Sequence, residues 1–238
     1  MKTRLDAELL NRKLVQTRSQ GESFVRMGKV LVNGRAASKT GQLVREDDKI
    51  IIAETDRYVG RAGHKLASVA SELHVDFRGK VVLDVGSSTG GFTDYSLQHG
   101  AEKVIAVEIG TNQLHQSLQG NPLIELHEKT DIRNFKTKQK IDIVVADVSF
   151  MSLRDILPSV ADLCSSSTQL IIMVKPQFEA KYSDFKHHGV IKNDRMRRDI
   201  LKDFELWAKQ HFVIRNKADS EVVGSKGNRE RFYLLKKL

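Results

Sequence analysis

Two long apolar runs in this chain end on residues that a packed core would reject. Ile141-Asp142-Ile143-Val144-Val145-Ala146 leads into Asp147-Val148-Ser149-Phe150, and Leu170 to Val174 leads into Lys175-Pro176-Gln177-Phe178. Buried strands of a parallel sheet carry ligands at their carboxyl ends. An acid at one strand end and an amine at the next would face each other there, a pairing suited to proton transfer. Taken singly, each reads more readily as a solvated strand terminus. Together, after such apolar runs, they read as a site. Lys65, in Arg61-Ala62-Gly63-His64-Lys65-Leu66, and Glu230, after Gly224-Ser225-Lys226-Gly227-Asn228-Arg229, carry the same chemistry, but spacing alone does not bring them beside Asp147 and Lys175.

A second candidate is the segment Val81-Val82-Leu83-Asp84-Val85-Gly86-Ser87-Ser88-Thr89-Gly90-Gly91-Phe92-Thr93. It reads as a strand, a loop of small residues and a helix start, with glycines that let backbone approach a ligand. It is neither GxGxxG nor GxxxxGK[ST], which argues against dinucleotides and nucleoside triphosphates. Asp84 would repel a pyrophosphate and suit an ammonium group, which points to S-adenosylmethionine. Glu108 ends the next strand, about 20 residues on, where a carboxylate grips ribose hydroxyls. Asp131, beyond the following strand, could meet an adenine amino group. The bland alternative is a plain strand-to-helix turn with surface acids. Nothing has metal-ligand spacing: Cys164 is the one cysteine, and His187 and His188 are adjacent.

These residues need a frame. Apolar strand runs are predicted at 80–85, 103–108, 123–126, 141–146 and 169–174, with late strands at 212–215 and 231–235. Helices are predicted at 62–73, 92–99, 112–119, 153–163 and 195–211. Short all-apolar strands alternating with helices predict an α/β fold, a parallel sheet covered on both faces.

The first fifth differs. Residues 1–45 hold ten Lys or Arg against three acids, a net +7, whereas the remaining 193 carry 29 against 27. A concentrated basic patch draws polyanions by releasing counterions. Leu5, Leu9 and Leu10 predict a helix, 18–27 a second, and Asn33-Gly34 between apolar residues a hairpin, with a further strand at 49–52. Thr55 to Gly63 is polar and glycine-containing, a boundary between a 1–56 module, a 57–63 linker and a 64–238 body. The 40% hydrophobic content supports a full core. No run approaches the roughly 18 apolar residues of a membrane span, and the first residues lack a signal peptide's apolar stretch. A cytoplasmic location is expected.

The module resembles the S-four-like RNA-binding domain through Arg4-Leu5-Asp6, Val30 and Val32-Asn33-Gly34. The body resembles the FtsJ-like RNA 2′-O-methyltransferases, and the whole chain the TlyA (haemolysin A) family. The matching motifs are Arg61 to Leu66, Leu83-Asp84-Val85-Gly86 with Ser88 to Thr93, Asp147 to Phe150, Val174 to Glu179, Gly189-Val190, and Lys226-Gly227-Asn228 with Glu230. The resemblance implies a Rossmann-like class I methyltransferase, a mostly parallel seven-stranded sheet behind a small α+β RNA-binding domain. It implies a tetrad of Lys65, Asp147, Lys175 and Glu230; within it Lys175 is read as the base, with the other three positioning. Lysine is a base only when neutral, a form that burial or a neighbouring cation favours; Lys65 would be that cation. It implies S-adenosylmethionine held by Asp84, Gly86, Ser87, Ser88, Thr89, Gly90, Gly91, Phe92, Glu108, Asp131 and Asp147. It implies structured ribosomal RNA as partner, free or in a subunit or ribosome, methylated on a cytidine ribose and contacted by Arg4, Arg12, Lys13, Arg18, Arg26, Lys29, Asn33 and Arg35. Neither metal nor membrane is implied. Three motifs depart from the family pattern: the module's second helix reads Thr17-Arg18-Ser19-Gln20-Gly21-Glu22 where Ser-Arg and further basic residues are usual, Asp131 stands where Asn is usual, and Arg229 and Arg231 flank Glu230 where apolar residues are usual. The alternatives are a non-catalytic RNA-binding or ribosome-assembly factor on the same fold, a membrane-lytic protein, which the lack of a strongly amphipathic apolar segment disfavours, and an NAD-dependent oxidoreductase, which the missing GxGxxG disfavours.

Overall fold

The computed structural model describes residues 2–15, 17–26, 28–52, 57–182, 189–224 and 227–238. Met27, Thr55, His187, His188, Ser225 and Lys226, invoked above, lie outside the described residues. The chain divides into two compact units, Met1–Arg57 and Tyr58–Leu238.

The first unit runs β1 (Lys2–Arg4), α1 (Leu5–Asn11), α2 (Arg18–Arg26), β2 (Val30–Val32), β3 (Arg35–Ala36), β4 (Leu43–Arg45) and β5 (Ile50–Ile52). β1 pairs with β4, and β2 lies between β3 and β5, all antiparallel. Asn33 and Gly34 both take positive φ, +51° and +78°, the twist that a two-residue hairpin requires. Leu5, Leu9, Val25, Val30 and Val44 form the core. Gly21, a weak helix former, sits where α2 meets α1: a Cβ there would stand 3.3 Å from Leu9 Cδ1.

The second unit holds α3 (Arg61–Leu73), β6 (Val81–Val85), α4 (Gly91–Gln98), β7 (Lys103–Val107), β8 (Ile124–His127), β9 (Ile143–Ala146), α5 (Leu157–Asp162), β10 (Gln169–Val174), α6 (Pro176–Glu179), α7 (Asp194–Ala208), β11 (Phe212–Asp219) and β12 (Arg231–Lys237). The strands form one seven-stranded sheet in the order β11-β12-β10-β9-β6-β7-β8. β6, β7, β8, β9 and β10 are parallel and β12 runs antiparallel to both its neighbours. The central strands alternate between two cores. Val144 and Ala146 of β9 join Leu157 and Val160 of α5 and Leu201 and Phe204 of α7. Ile143 and Val145 join Leu66 and Val69 of α3 and Phe92 and Tyr95 of α4. Both faces are covered, which is why the strands read as unbroken apolar runs. The chain order reverses between β6 and β9, the switch point where open α/β sheets bind ligands. Among the described residues, no helix is long and apolar enough to cross a membrane.

Three segments depart from expectation. Residues 112–119 form a single 3₁₀ turn, Gln116–Leu118, in place of a helix. Carboxylates recruit the backbone there: Gly110 N–H donates to Glu108 and Asn112 N–H to Glu128, and Asn112 is left-handed at φ +54°. The 153–163 helix is broken into a 3₁₀ turn, Leu153–Asp155, and α5, because Pro158 lacks an N–H and its ring crowds the carbonyl four residues back. Finally, the 57–63 stretch is not a solvated linker. Tyr58 is 1% exposed among Leu66, Phe92 and Tyr95, and α3 starts at Arg61.

α3 and α4 approach through paired glycines. A Cβ on Gly63 would stand 2.5 Å from Tyr58 Cβ and 2.8 Å from Gly91 O, and one on Gly91 would stand 2.9 Å from Gly63 N. Gly63→Ala is therefore expected to destabilise the protein by about 1–3 kcal/mol, the usual cost of overpacking. Urea unfolding checks this; an unchanged midpoint would show that the helices can part freely.

Candidate active site

The carboxyl edge of the sheet gathers the charged residues picked from the sequence. Asp147 follows β9 and Lys175 follows β10, on neighbouring parallel strands. Lys175 Nζ lies 2.6 Å from Asp147 Oδ1 and donates to Ser149 Oγ at 2.7 Å. β12 runs the other way and pairs Arg231 with Val174, so Glu230 enters the sheet one position beyond that pair, beside Lys175. Lys65, on the second turn of α3, reaches the same edge and stands 2.7 Å from Glu230 Oε2, with side chains only 8% and 3% exposed. The edge thus brings Lys65, Asp147, Lys175 and Glu230 together as two ion pairs. Each lysine has its own carboxylate, so Glu230 offsets the charge that Lys65 brings to this edge.

Several contacts hold Glu230 in place. Asn228 accepts from Ile191 N–H and donates to Gly189 O, both at 2.9 Å. Buried Arg197 of α7 donates to Arg229 O at 3.0 Å and pairs with Asp219 at 2.6 Å. Arg231 turns away to form two bonds with Asp219. The flanking arginines therefore leave Glu230 free to face Lys65. Gly224 supplies the room, since a Cβ there would come within 2.8 Å of Glu230 Oε1.

Beside these pairs lies a cavity of about 370 Å³ at the ends of β6 and β7. Gly86, Ser88, Glu108, Asp131 and Asp147 line it, with Ile109, Gln113, Ile132 and Val148 to Met151. Glu108 accepts from Ser88 N–H at 2.9 Å and Gly110 N–H at 2.7 Å. Gly86, at φ +78°, lets β6 pass under the loop after β9: a Cβ would meet Asp147 O at 3.0 Å. Asp131 lies against Arg133, whose guanidinium holds its carboxyl below the usual range.

Asp84, Ser87, Thr89, Gly90, Gly91 and Phe92 do not line that cavity. Phe92 is 2% exposed and packs on Phe232. Gly90 and Gly91 serve packing, with Leu118 and Ala62 too close to admit a Cβ. Asp84 belongs to β6 and not to the loop, and is 1% exposed. Its Oδ2 accepts from Thr93 Oγ1 at 2.7 Å, while Oδ1, like buried Ser87 Oγ, has no partner among the described residues. Burial pushes the Asp84 carboxyl up to about 7, against the pull of the Thr93 bond, and the charges of Asp147 and Glu108 push the same way.

In the first unit, Arg4 and Arg18 both donate to Asp6, which is fully buried, while their side chains remain 51% and 53% exposed. Their guanidiniums hold the Asp6 carboxyl well below its ordinary range. Lys13 and Arg35 are exposed, and Arg26 pairs with Glu22. Lys29 sits over the Phe24 ring, and burial lowers its proton affinity. Arg12 and Asn33 use their polar groups internally. Arg12 pairs with Glu8 and donates to the carbonyls of Arg45, Glu46 and Asp48. Asn33 bridges Asp48 and Lys49 N–H.

Ser149 and Phe150 stand in the Asp147 to Phe150 motif with no role evident from sequence. Phe150 is 92% exposed, has φ +67°, and leans on Phe178 with ring centres 5.6 Å apart. An aromatic two residues from a strand-end acid carries no signal of exposure in sequence. Its isolation from the nearby apolar run was the available hint.

A switch-point cavity at the carboxyl edge of this seven-stranded sheet defines a Rossmann-like methyltransferase. A solved S-adenosylmethionine-dependent methyltransferase fold from Listeria monocytogenes matches at TM-score 0.54 and 17% identity over 75% of this chain and 98% of its own, a likeness of fold alone. The FtsJ-like methyltransferase model matches residues 58–237 and the S4 domain model residues 3–50. The chain belongs to the TlyA (haemolysin A) family of FtsJ-like methyltransferases with an S4 domain. It is 34% identical to the 23S rRNA (cytidine-2′-O)-methyltransferase TlyA of Campylobacter jejuni, over 94% of this chain and 96% of the relative. It is 32% identical to Hemolysin A of Brachyspira hyodysenteriae, over 95% and 97%. A Streptococcus thermophilus structure bearing the hemolysin name matches at TM-score 0.76 and 31% identity, over 99% of this chain and 88% of that one.

Asp84 makes stability depend on pH. Its folded value of about 7 lies above the ordinary carboxylate value of 3.8, so the folded state keeps a proton that the unfolded chain releases. Stability is thereby lost as pH rises from about 4 to 7 and the loss then levels off. Asp84→Asn should gain stability over the parent between pH 5 and pH 8, by on the order of a few kcal/mol. A difference in urea midpoint that ignores pH would show Asp84 to be solvated.

Proposed function

We propose that this methyltransferase uses S-adenosylmethionine to methylate a ribose 2′-hydroxyl, that of a cytidine, in ribosomal RNA. The observation that carries the reading is the pair of lysine–carboxylate contacts on the carboxyl edge beside the cavity. RNA class and nucleotide follow the names of the relatives. In this reading residues 1–56 hold structured RNA, the body carries out the chemistry, and the protein works in the cytoplasm.

The cavity suits the cofactor in size and chemistry. Glu108 would take ribose hydroxyls, Ile109 and Ile132 offer apolar walls to a base, and Asp131 stands ready for an amino group. Asp84 Oδ1 and Ser87 Oγ, outside the cavity lining, are buried polar atoms without partners among the described residues. When bound, S-adenosylmethionine supplies an electrophilic methyl group on a sulfonium.

The chain's own task is to activate and align a hydroxyl, a poor nucleophile near neutral pH. A neutral lysine has two N–H donors and one lone pair. Lys175 donates to Ser149 Oγ and stands 2.6 Å from Asp147 Oδ1, and in its neutral form its lone pair would accept the 2′-hydroxyl proton. Asp147 favours the cationic amine once that proton has arrived. Lys65 and Glu230 neutralise each other at the same edge. Alignment of this kind can contribute about 7–11 kcal/mol to a barrier. Phe150 presents an exposed ring on which an unstacked base can rest, as access to a paired nucleotide demands. Arg4 and Arg18, fixed by a shared buried acid, offer guanidiniums to phosphates at little entropic cost.

Lys175→Ala should lower methyl transfer to ribosomal RNA by roughly 10²–10⁴-fold while calorimetry still detects S-adenosylhomocysteine. Undiminished transfer would remove Lys175 as the base. Arg4→Ala and Arg18→Ala should each weaken RNA binding and reduce the slope of log K against log salt by about 1. Slopes equal to the parent's would move the phosphate contacts elsewhere.

A further inference from the structure

We propose that Glu179 is a positioning residue for methyl transfer, clamping the loop after β9 to the turn that carries Lys175. The inference rests on the reading of Lys175 as base. Glu179 closes α6 and is 1% exposed. Its Oε2 accepts from Ser152 Oγ at 2.6 Å and its Oε1 from Leu153 N–H at 2.8 Å. Arg154 Nε stands 3.5 Å from Oε2, and the guanidinium is held from beyond by Asp203 of α7 at 2.7 Å and by the Trp207 ring at 5.8 Å.

The importance of the clamp lies in what it spans. Residues 147–151 all line the cavity, and three of them serve the site: Asp147 and Ser149 engage the amine of Lys175, and Phe150 rests on Phe178. The loop is tied at its start, where Asp147 N–H donates to Val85 O at 3.1 Å. Its far end, Ser152–Leu153, is tied by Glu179. Lys175 and Glu179 belong to one helical turn, in which Glu179 N–H donates to Lys175 O at 3.3 Å. The turn therefore grips the loop twice, by the amine at its beginning and by the carboxylate at its end. Without the second grip the loop would be free to drift, and misplacement by about 1 Å can cost a hundredfold in rate. Burial pushes the Glu179 carboxyl up, which the bonds from Ser152 and Leu153 and the charge of Arg154 oppose. The carboxylate is thus held by what it positions.

The test uses the full-length protein with Glu179→Ala, Glu179→Gln and Ser152→Ala. Glutamine can still accept from Leu153 N–H and donate to Ser152 Oγ. For Glu179→Ala the expected result is a loss in kcat on the order of tenfold to a hundredfold at saturating RNA. KM for RNA should change less than kcat, because the clamp acts on the loop and leaves the phosphate contacts of residues 1–56 intact. Glu179→Gln should recover most of the rate, and Ser152→Ala should fall between. Calorimetry with S-adenosylhomocysteine gives a readout independent of methyl transfer: affinity should drop in Glu179→Ala and return in Glu179→Gln. A folded Glu179→Ala with parental kcat and parental affinity overturns the proposal. If Glu179→Ala does not fold, Ser152→Ala and Glu179→Gln decide, and equal parental rates and affinities in both overturn it. A parent protein that transfers no methyl group refutes the parent reading, and the affinities alone then judge the clamp.

Discussion

The antiparallel return of β12 is the constraint on which the site depends. Parallel strands deliver their carboxyl ends to one edge, and that alone brings Asp147 and Lys175 together. Lys65 and Glu230 are 165 residues apart in the chain, and neither follows a parallel strand. Glu230 reaches the edge because β12 enters the sheet there, in register with the end of β10. Its carboxylate then draws the Lys65 amine from α3. A parallel β12 would have placed Glu230 at the opposite edge, leaving Lys65 buried and unpaired.

Buried ion pairs are poor investments for stability, since the desolvation of two charges roughly offsets their attraction. Both pairs here are nonetheless well shielded, with Lys65 and Glu230 almost fully buried. The surrounding fold does much to hold them: Asn228 and Arg197 fix the approach to Glu230, while Ser149 shares the Lys175 amine. Expense of this kind is expected where preorganised charge serves a reaction. The glycine-rich segment tells a complementary story. Gly86 opens space beneath the Asp147 backbone, whereas Gly90 and Gly91 let α4 seat against α3 and the 114–118 turn. One motif thus divides between shaping the cavity and packing the core.

Much of this was legible in the chain. The five parallel strands could be read because burial on both faces leaves unbroken apolar runs, and Asn33-Gly34 marked its hairpin by its need for positive φ. Asp147 and Lys175 stood out as charges ending such runs. Lys65 and Glu230 were reachable only by resemblance, because strand direction is not written in local pattern. Tyr58 was read as linker since its neighbours are polar, yet its ring fills the core between α3 and α4. The 112–119 segment has helical composition, but the Glu128 carboxylate captures the backbone N–H of Asn112 from 16 residues away, an effect that local periodicity cannot contain. Arg12 and Asn33 looked like RNA contacts from residue type alone, and tertiary hydrogen bonds claim both.

The central claim is that two ion pairs at one sheet edge act as a single catalytic unit. A kinetic double-mutant cycle on Lys65 and Lys175 tests it most directly. Residues that act together are strongly non-additive, so Lys65→Ala/Lys175→Ala should transfer methyl groups to ribosomal RNA about as slowly as the worse single variant. Losses that multiply across the two positions would show that the pairs work independently and would contradict the account.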